Sequence, residues 1–204
     1  MTPDFYDTFC YYYRMNNKQQ LLEELYSNHR GDPSSPLIID NNTNFVFGEG
    51  NVDALIMLVG EAPGRDEDIQ KRPFVGRAGQ LLNQTLEKNG LKREDIYITN
   101  IIKARPLNNR TPTPEEISRC WPVLQRQIEI INPKIIGTLG SCALLAFLKK
   151  PVSITKQHGY AIPFDQFIVV PTFHPAFILR SPDFYPKFTS DINFITELAK
   201  NISK

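Results

Sequence analysis

Residues 54–64, ALIMLVGEAPG, set a six-residue apolar run directly against a turn. A run this short and this continuous fits a strand buried on both faces. Gly60 stops it. Three further runs have the same character: 95–99 (DIYIT), 134–139 (KIIGTL) and 166–171 (QFIVVP). Segments with helical periodicity lie between and after them. Residues 77–90 (RAGQLLNQTLEKNG) end at Gly90, a favoured helix stop. Residues 114–131 open with Pro114, which suits a first helical turn. A short helix fits 141–149, and a closing helix fits 188–202. Upstream, Leu21, Leu22 and Leu25 make a stripe within a predicted helix over 16–28. Residues 29–44 are turn-rich and read as a loop, and 1–15 as an aromatic-rich arm. The expected division is an arm and helix over 1–28 and one domain over 29–204. Its class is α/β, a three-layer α/β/α arrangement around a central, mainly parallel sheet of four strands.

Composition narrows the class of protein. The chain has 204 residues, 41% hydrophobic and 22% charged, as in a globular domain with a substantial core. Its 23 basic and 22 acidic residues leave a net charge of +1, so a nucleic-acid partner would need the positive charge gathered on one face. The N-terminal stretch has no apolar core flanked by basic residues, and no window approaches a membrane span. Cys10, Cys120 and Cys142 are too few and too scattered for a disulfide framework. A cytoplasmic, reducing setting is expected.

In parallel sheets, ligands bind beyond the carboxyl ends of the strands. That singles out the loops after residues 59, 99 and 171. The first carries Glu61, Ala62 and Gly64, then Glu67 and Phe74. Its glycines allow backbone amides to approach a ligand closely. Alone, the motif is an ordinary turn with a solvated carboxylate, and a lone phenylalanine is ordinarily core. The second loop begins at Asn100, whose amide carries both a donor and an acceptor and so matches N3–H and O4 of uracil. An asparagine at a strand end is otherwise a turn residue. The third loop presents His174, followed by Pro175 and Ala176. A single histidine is more often structural, and His29 and His158 take that reading. One sheet edge that gathers a carboxylate, an aromatic ring, an amide and an imidazole is far more specific than any of its parts.

These segments resemble the family 4 (type a) uracil-DNA glycosylases of the uracil-DNA glycosylase superfamily. The resemblance rests on GEAPG at 60–64, EDIQKRPFVGRAGQLLN at 67–83, YITNIIKARP at 97–106 and HPAFILRSP at 174–182, within 47–182. It implies excision of uracil from DNA by base flipping, leaving an abasic site, with no cofactor required for the chemistry. It further implies that Glu61 stands near the sugar and the attacking water. Phe74 would stack on the base, Asn100 read it, His174 stabilise the departing uracil at O2, and Glu67 lie beside C5. Residues 177–182, with Leu179, Arg180 and Ser181, would enter the minor groove. Arg77, Lys103, Arg105 and Arg110 are the basic candidates for DNA contact, alongside Lys71, Arg72 and Lys187. A monomer acting on uracil-containing DNA is expected. Two other readings share the fold: a catalytically silent DNA- or uracil-binding paralogue, and a glycosylase for another deaminated base. A nucleotide-cofactor enzyme is disfavoured, because no Gly-x-Gly-x-x-Gly follows the first strand.

The resemblance also implies four cysteines around a [4Fe–4S] cluster. Here Pro33-Ser34-Ser35-Pro36 stand where the Cys-x-x-Cys pair belongs, and Ala104 replaces the third cysteine. Only Cys120 matches. Cys10 and Cys142, with His29, lie off the motif. The cluster is therefore expected to be absent.

Overall fold

The computed structural model describes residues 17–30 and 43–202. The arm expected over 1–15 and most of the 29–44 loop fall outside these residues. Helix α1 covers 17–27. A small strand, β1 (Glu49–Gly50), precedes β2 (Ile56–Gly60), α2 (Arg65–Gln70), α3 (Arg77–Lys88) and β3 (Tyr97–Asn100). Then come α4 (Pro114–Ile131), β4 (Ile135–Leu139), α5 (Ser141–Leu148) and α6 (Ile154–Gln157). The chain closes with β5 (Ile162–Phe164), β6 (Phe167–Thr172), α7 (Pro175–Arg180) and α8 (Tyr185–Ile202).

The sheet order is β1-β3-β2-β4-β6-β5. The four inner strands are mutually parallel. The two outer strands are antiparallel to their neighbours, so the sheet has six strands where sequence periodicity predicts four. The added strands are two and three residues long, too short to carry a period. Pro163 lies in one of them, as an edge strand tolerates.

Strands β2, β3 and β4 are buried throughout, which explains their unbroken apolar runs. Alternate side chains feed two core layers. Met57, Val59 and Tyr97 join Leu124, Ile128, Leu144 and Phe147 on one face. Ile56, Leu58 and Ile98 join Leu82, Leu86, Phe188 and Ile192 on the other. Each large aliphatic side chain buried this way contributes about 1.5–3 kcal/mol. Helix α1 docks through Leu22 and is pinned by Lys18 Nζ, which donates to Asp53 Oδ1 at 2.6 Å and to the Ile131 carbonyl at 3.0 Å.

Helix α4 begins where Thr113 and Glu116 cap each other: Glu116 N–H donates to Thr113 Oγ1 (3.2 Å), and Thr113 N–H to Glu116 Oε2 (2.8 Å). Helix α3 packs so tightly against the preceding loop that a Cβ on Gly79 would lie 1.8 Å from the Phe74 carbonyl oxygen. Gly79→Ala should therefore push that loop away and destabilise the fold by about 1–3 kcal/mol, read as a lower urea midpoint with an unchanged slope.

Candidate active site

The register of the inner strands builds the site. β2 and β3 pair in parallel with Gly60 opposite Asn100. Past these residues the strands stay tied, because Ile101 N–H donates to the Gly60 carbonyl at 2.9 Å and Ile102 N–H to that of Glu61 at 3.3 Å. Asn100 is 1% exposed, and its Oδ1 is a buried acceptor without a hydrogen-bond partner among the described residues. A Cβ on Gly60 would meet Asn100 Oδ1 and Phe74 Cζ, each at 2.4 Å. The glycine is what lets the amide and the ring close directly onto the backbone. An orphaned buried acceptor is costly unless a ligand donates to it.

Phe74 is held in an unusual backbone conformation, φ +51°, which a bulky residue rarely adopts. Its surroundings impose it. The Glu67 carboxylate accepts from the N–H groups of Gly64 (3.2 Å), Val75 (2.9 Å) and Gly76 (2.8 Å), folding the loop around itself. Arg93 grips the same loop from the far side, donating to the Pro73 carbonyl at 2.5 Å and the Phe74 carbonyl at 3.3 Å. Glu49 in turn holds Arg93 at 2.8 Å. The Phe74 ring is buried, 5.7 Å from the His174 ring.

His174 caps the first turn of α7, and its Nδ1 accepts from Ala176 N–H at 3.1 Å. That bond assigns the ring proton to Nε2, which is left as a donor. Burial, aided by the nearby Arg180 charge, pulls the imidazole down to about 4. At neutral pH it is therefore an uncharged donor. Gly140 stands behind it at φ +90°, where a Cβ would approach His174 Cβ to 3.0 Å.

Glu61 is partly buried, which raises its carboxyl pKa above the usual range, while a hydrogen bond from the Cys142 thiol opposes the rise. Cys142 itself is pushed up to about 12 by burial and by the Glu61 charge, so it remains a thiol. Glu61 and His174 both line a cleft of about 640 Å³, with Ala62, Gly64, Ala176 and Arg180 also on its walls. Phe74 and Asn100 lie beside Gly60, the residue before Glu61. The cleft thus offers a carboxylate and a neutral donor. A ring and an unmet amide stand beside Gly60.

The basic candidates divide. Arg77 is exposed, and Leu179 is 39% exposed at the end of α7, where Pro175 is buried and Ser181 terminates the helix. Arg105 donates to Asn109 Oδ1 at 2.7 Å, and Arg110 is on the cleft wall but paired with Glu116 at 2.5 Å. Arg72 pairs with Glu49 at 2.6 Å. Lys103 corrects the sequence reading. It has no exposed surface and its Nζ is spent on internal oxygens, so it is not a phosphate contact. Its long side chain follows the turn after β3 inward, a direction that charge alone does not reveal. Sequence reasoning also missed Arg93, Cys142 and Gly140, which reach the site only through the fold and carry no local signal.

A family model described as the uracil DNA glycosylase superfamily matches residues 47–195. A type-4 uracil-DNA glycosylase of Thermotoga maritima is 49% identical over 169 residues, covering 82% of this chain and 88% of the relative. A type-4 uracil-DNA glycosylase of Archaeoglobus fulgidus is 44% identical over 164 residues, covering 76% and 82%. A type-5 uracil-DNA glycosylase of Pyrobaculum aerophilum is more distant, at 29% over 144 residues. The chain belongs to the uracil DNA glycosylase superfamily, within its type-4 branch.

The described residues do not fit the iron–sulfur cluster implied for that branch. Cys120 is packed into the core, Ala104 is a buried methyl, and no group of three or more His, Cys, Asp or Glu could hold a metal among the described residues. Residues 33–36 and Cys10 lie outside them. No helix among the described residues is long and apolar enough to cross a membrane.

Two outcomes follow from this geometry. Gly60→Ala should reduce turnover at least 100-fold while the protein still binds DNA, because the methyl would displace Asn100 Oδ1 and the Phe74 ring. The acid limb of the pH profile of kcat should not be that of an imidazole near 6.5, since His174 stays neutral down to about 4. That limb should instead lie above the ordinary carboxylate range, report ionisation of Glu61, and disappear in Glu61→Gln.

Proposed function

We propose that this protein hydrolyses the N-glycosidic bond of uracil in DNA, leaving an abasic site for base excision repair. The observation that carries the reading is the unpaired, buried Oδ1 of Asn100 beside Gly60. Uracil offers an N3–H to that oxygen and an O4 to the amide nitrogen. Cytosine offers an acceptor at N3 and a donor at N4, the reverse pattern, and would leave buried groups unmet. The type-4 relatives, named as uracil-DNA glycosylases, support the same substrate.

The base must leave the duplex to enter, at a cost of a few kcal/mol that is smaller for a mismatched uracil. Leu179, exposed at the end of α7, would fill the gap, with Arg180, Ser181, Arg77, Arg105 and Arg110 near the backbone. Phe74 would stack on the flipped base. As the C1′–N1 bond lengthens, positive charge builds on the sugar and negative charge on the base. The Glu61 carboxylate suits the first and orients the water that adds to C1′. The His174 Nε2–H suits the second, donating to O2. A neutral donor serves here because it need not give its proton away to share it with the developing anion. Glu67, already fixed by three backbone amides, shapes the wall expected to face C5. The enzyme would act as a cytoplasmic monomer without an iron–sulfur cluster, the loop around Phe45 and Phe47 being held instead by their packing with Tyr26 and with each other, at ring separations of 5.6–5.9 Å.

An oligonucleotide carrying a single uracil, treated with the protein and then with alkali, should break at that position. His174→Ala should lower the single-turnover rate by roughly 100- to 1,000-fold, and Glu61→Ala should also lower it strongly. Intact strands from U·G, U·A and single-stranded substrates, with DNA binding preserved, would point to a silent binding paralogue or another damaged base. Purified protein should contain no stoichiometric iron, and a cluster absorbance near one per chain would refute the cluster-free reading.

A further inference from the structure

Lys103 is buried without trace of exposure, three residues beyond Asn100, and no step above uses its charge. Its Nζ donates to Thr99 Oγ1 at 2.6 Å, the Asn100 carbonyl at 2.8 Å and Gln127 Oε1 at 2.6 Å. The partners are themselves oriented. Thr99 Oγ1 donates its proton to the Phe47 carbonyl at 2.7 Å. Gln127 Nε2 donates to the same carbonyl at 3.0 Å and to the Tyr97 hydroxyl at 3.1 Å. All three oxygens around Nζ can therefore only accept. An ammonium carries three donors and meets all of them, whereas a neutral amine would aim its lone pair at one.

The three acceptors favour the charged form over a neutral amine. Among the described residues, no carboxylate pairs with it. Satisfying three oxygens does not require a charge, since a water or an amide could do so. Keeping an unpaired cation in the interior is costly, so the charge itself calls for an explanation.

We propose that Lys103 is a positioning and electrostatic residue of the excision reaction: its ammonium, clamped to the Asn100 main chain behind the base pocket, supports the negative charge that develops on the departing base. This inference rests on Asn100 and His174 being the partners of the base. No water screens the field, because Lys103, Thr99 and Gln127 are all fully buried and Asn100 is nearly so. The same contact holds the Asn100 backbone, and so aims the unpaired Oδ1.

Leaving-group dependence separates charge from scaffolding. The 5-fluorouracil anion is intrinsically more stable than that of uracil and needs less support. Lys103→Met should slow single-turnover excision of uracil by roughly tenfold or more, and excision of 5-fluorouracil by clearly less. Substrate affinity should change little. Lys103→Gln, which keeps a donor but removes the charge, should widen the gap between the two bases in the same way. Gln127→Leu, assayed at a pH where its 15N spectrum shows Lys103 still as –NH3+, should leave the wild-type ratio unchanged. Equal losses on both bases in the Lys103 variants would overturn the proposal, as would a widened ratio in Gln127→Leu. A measurement on the unaltered protein stands apart from folding of any variant. In 15N-labelled wild type below pH 7, Lys103 should give a protected –NH3+ correlation, and a neutral amine there would also overturn it. Failure of the wild type to release uracil at all would sink the uracil reading first, and this inference with it.

Discussion

Gly60 and Asn100 stand opposite one another at the carboxyl ends of two paired parallel strands, and the functional site is arranged around that pairing. The parallel register brings the residue after one strand, Glu61, next to the last residue of the other. The missing Cβ of Gly60 lets the Asn100 amide and the Phe74 ring approach the same stretch of backbone. With a different register the carboxylate, amide and ring would not converge. With any side chain at 60 the amide and the ring would be pushed from their places. The strands can hold this register because both faces are buried, so a slip of one residue would turn each core layer inside out.

The site concentrates unfavourable local features that the rest of the fold sustains. Phe74 has a left-handed backbone, Asn100 has an unmet acceptor, Glu61 is a partly desolvated carboxylate, and His174 is held uncharged. Each would relax if its surroundings were loose. They are kept by contacts from elsewhere: Glu67 and Arg93 on the Phe74 loop, Gly140 behind His174, and Cys142 on Glu61. Preorganisation of this kind means that little rearrangement is left for the reaction itself. The neutral state of His174 and the raised pKa of Glu61 arise from one cause, a shared cleft that water enters poorly.

The loss of cluster cysteines has a consistent physical setting. Where a thiolate is implied at 104, a methyl is packed, and Cys120 behaves as a small core residue. Helix α1, the Phe45 and Phe47 rings and the Lys18 contacts supply local order on that side of the sheet.

Much of this was legible in the chain. The runs at 54–59, 95–99, 134–139 and 166–171 announce inner strands, because a strand covered on both faces must be apolar throughout. Helix α4 carries its own start, Thr113-Pro114-Glu115-Glu116, and appears where those residues place it. Short elements were hidden: β1 and β5 are too brief for periodicity, and α2 and α7 sit inside the motif loops. The residue types at the site, Glu61, Phe74, Asn100 and His174, were recognisable from the strand ends, since their chemistry is written in their side chains. What only the tertiary structure decided is direction and state. Lys103 and Arg110 look alike in sequence, yet one turns inward to three oxygens and the other lies on the cleft wall. The charge on His174, the hold of Arg93 on the Phe74 loop and the thiol beside Glu61 depend on distances between segments far apart in the chain. Local pattern determines which residues stand at an edge, while burial and long-range contacts determine which way they point and whether they keep their protons.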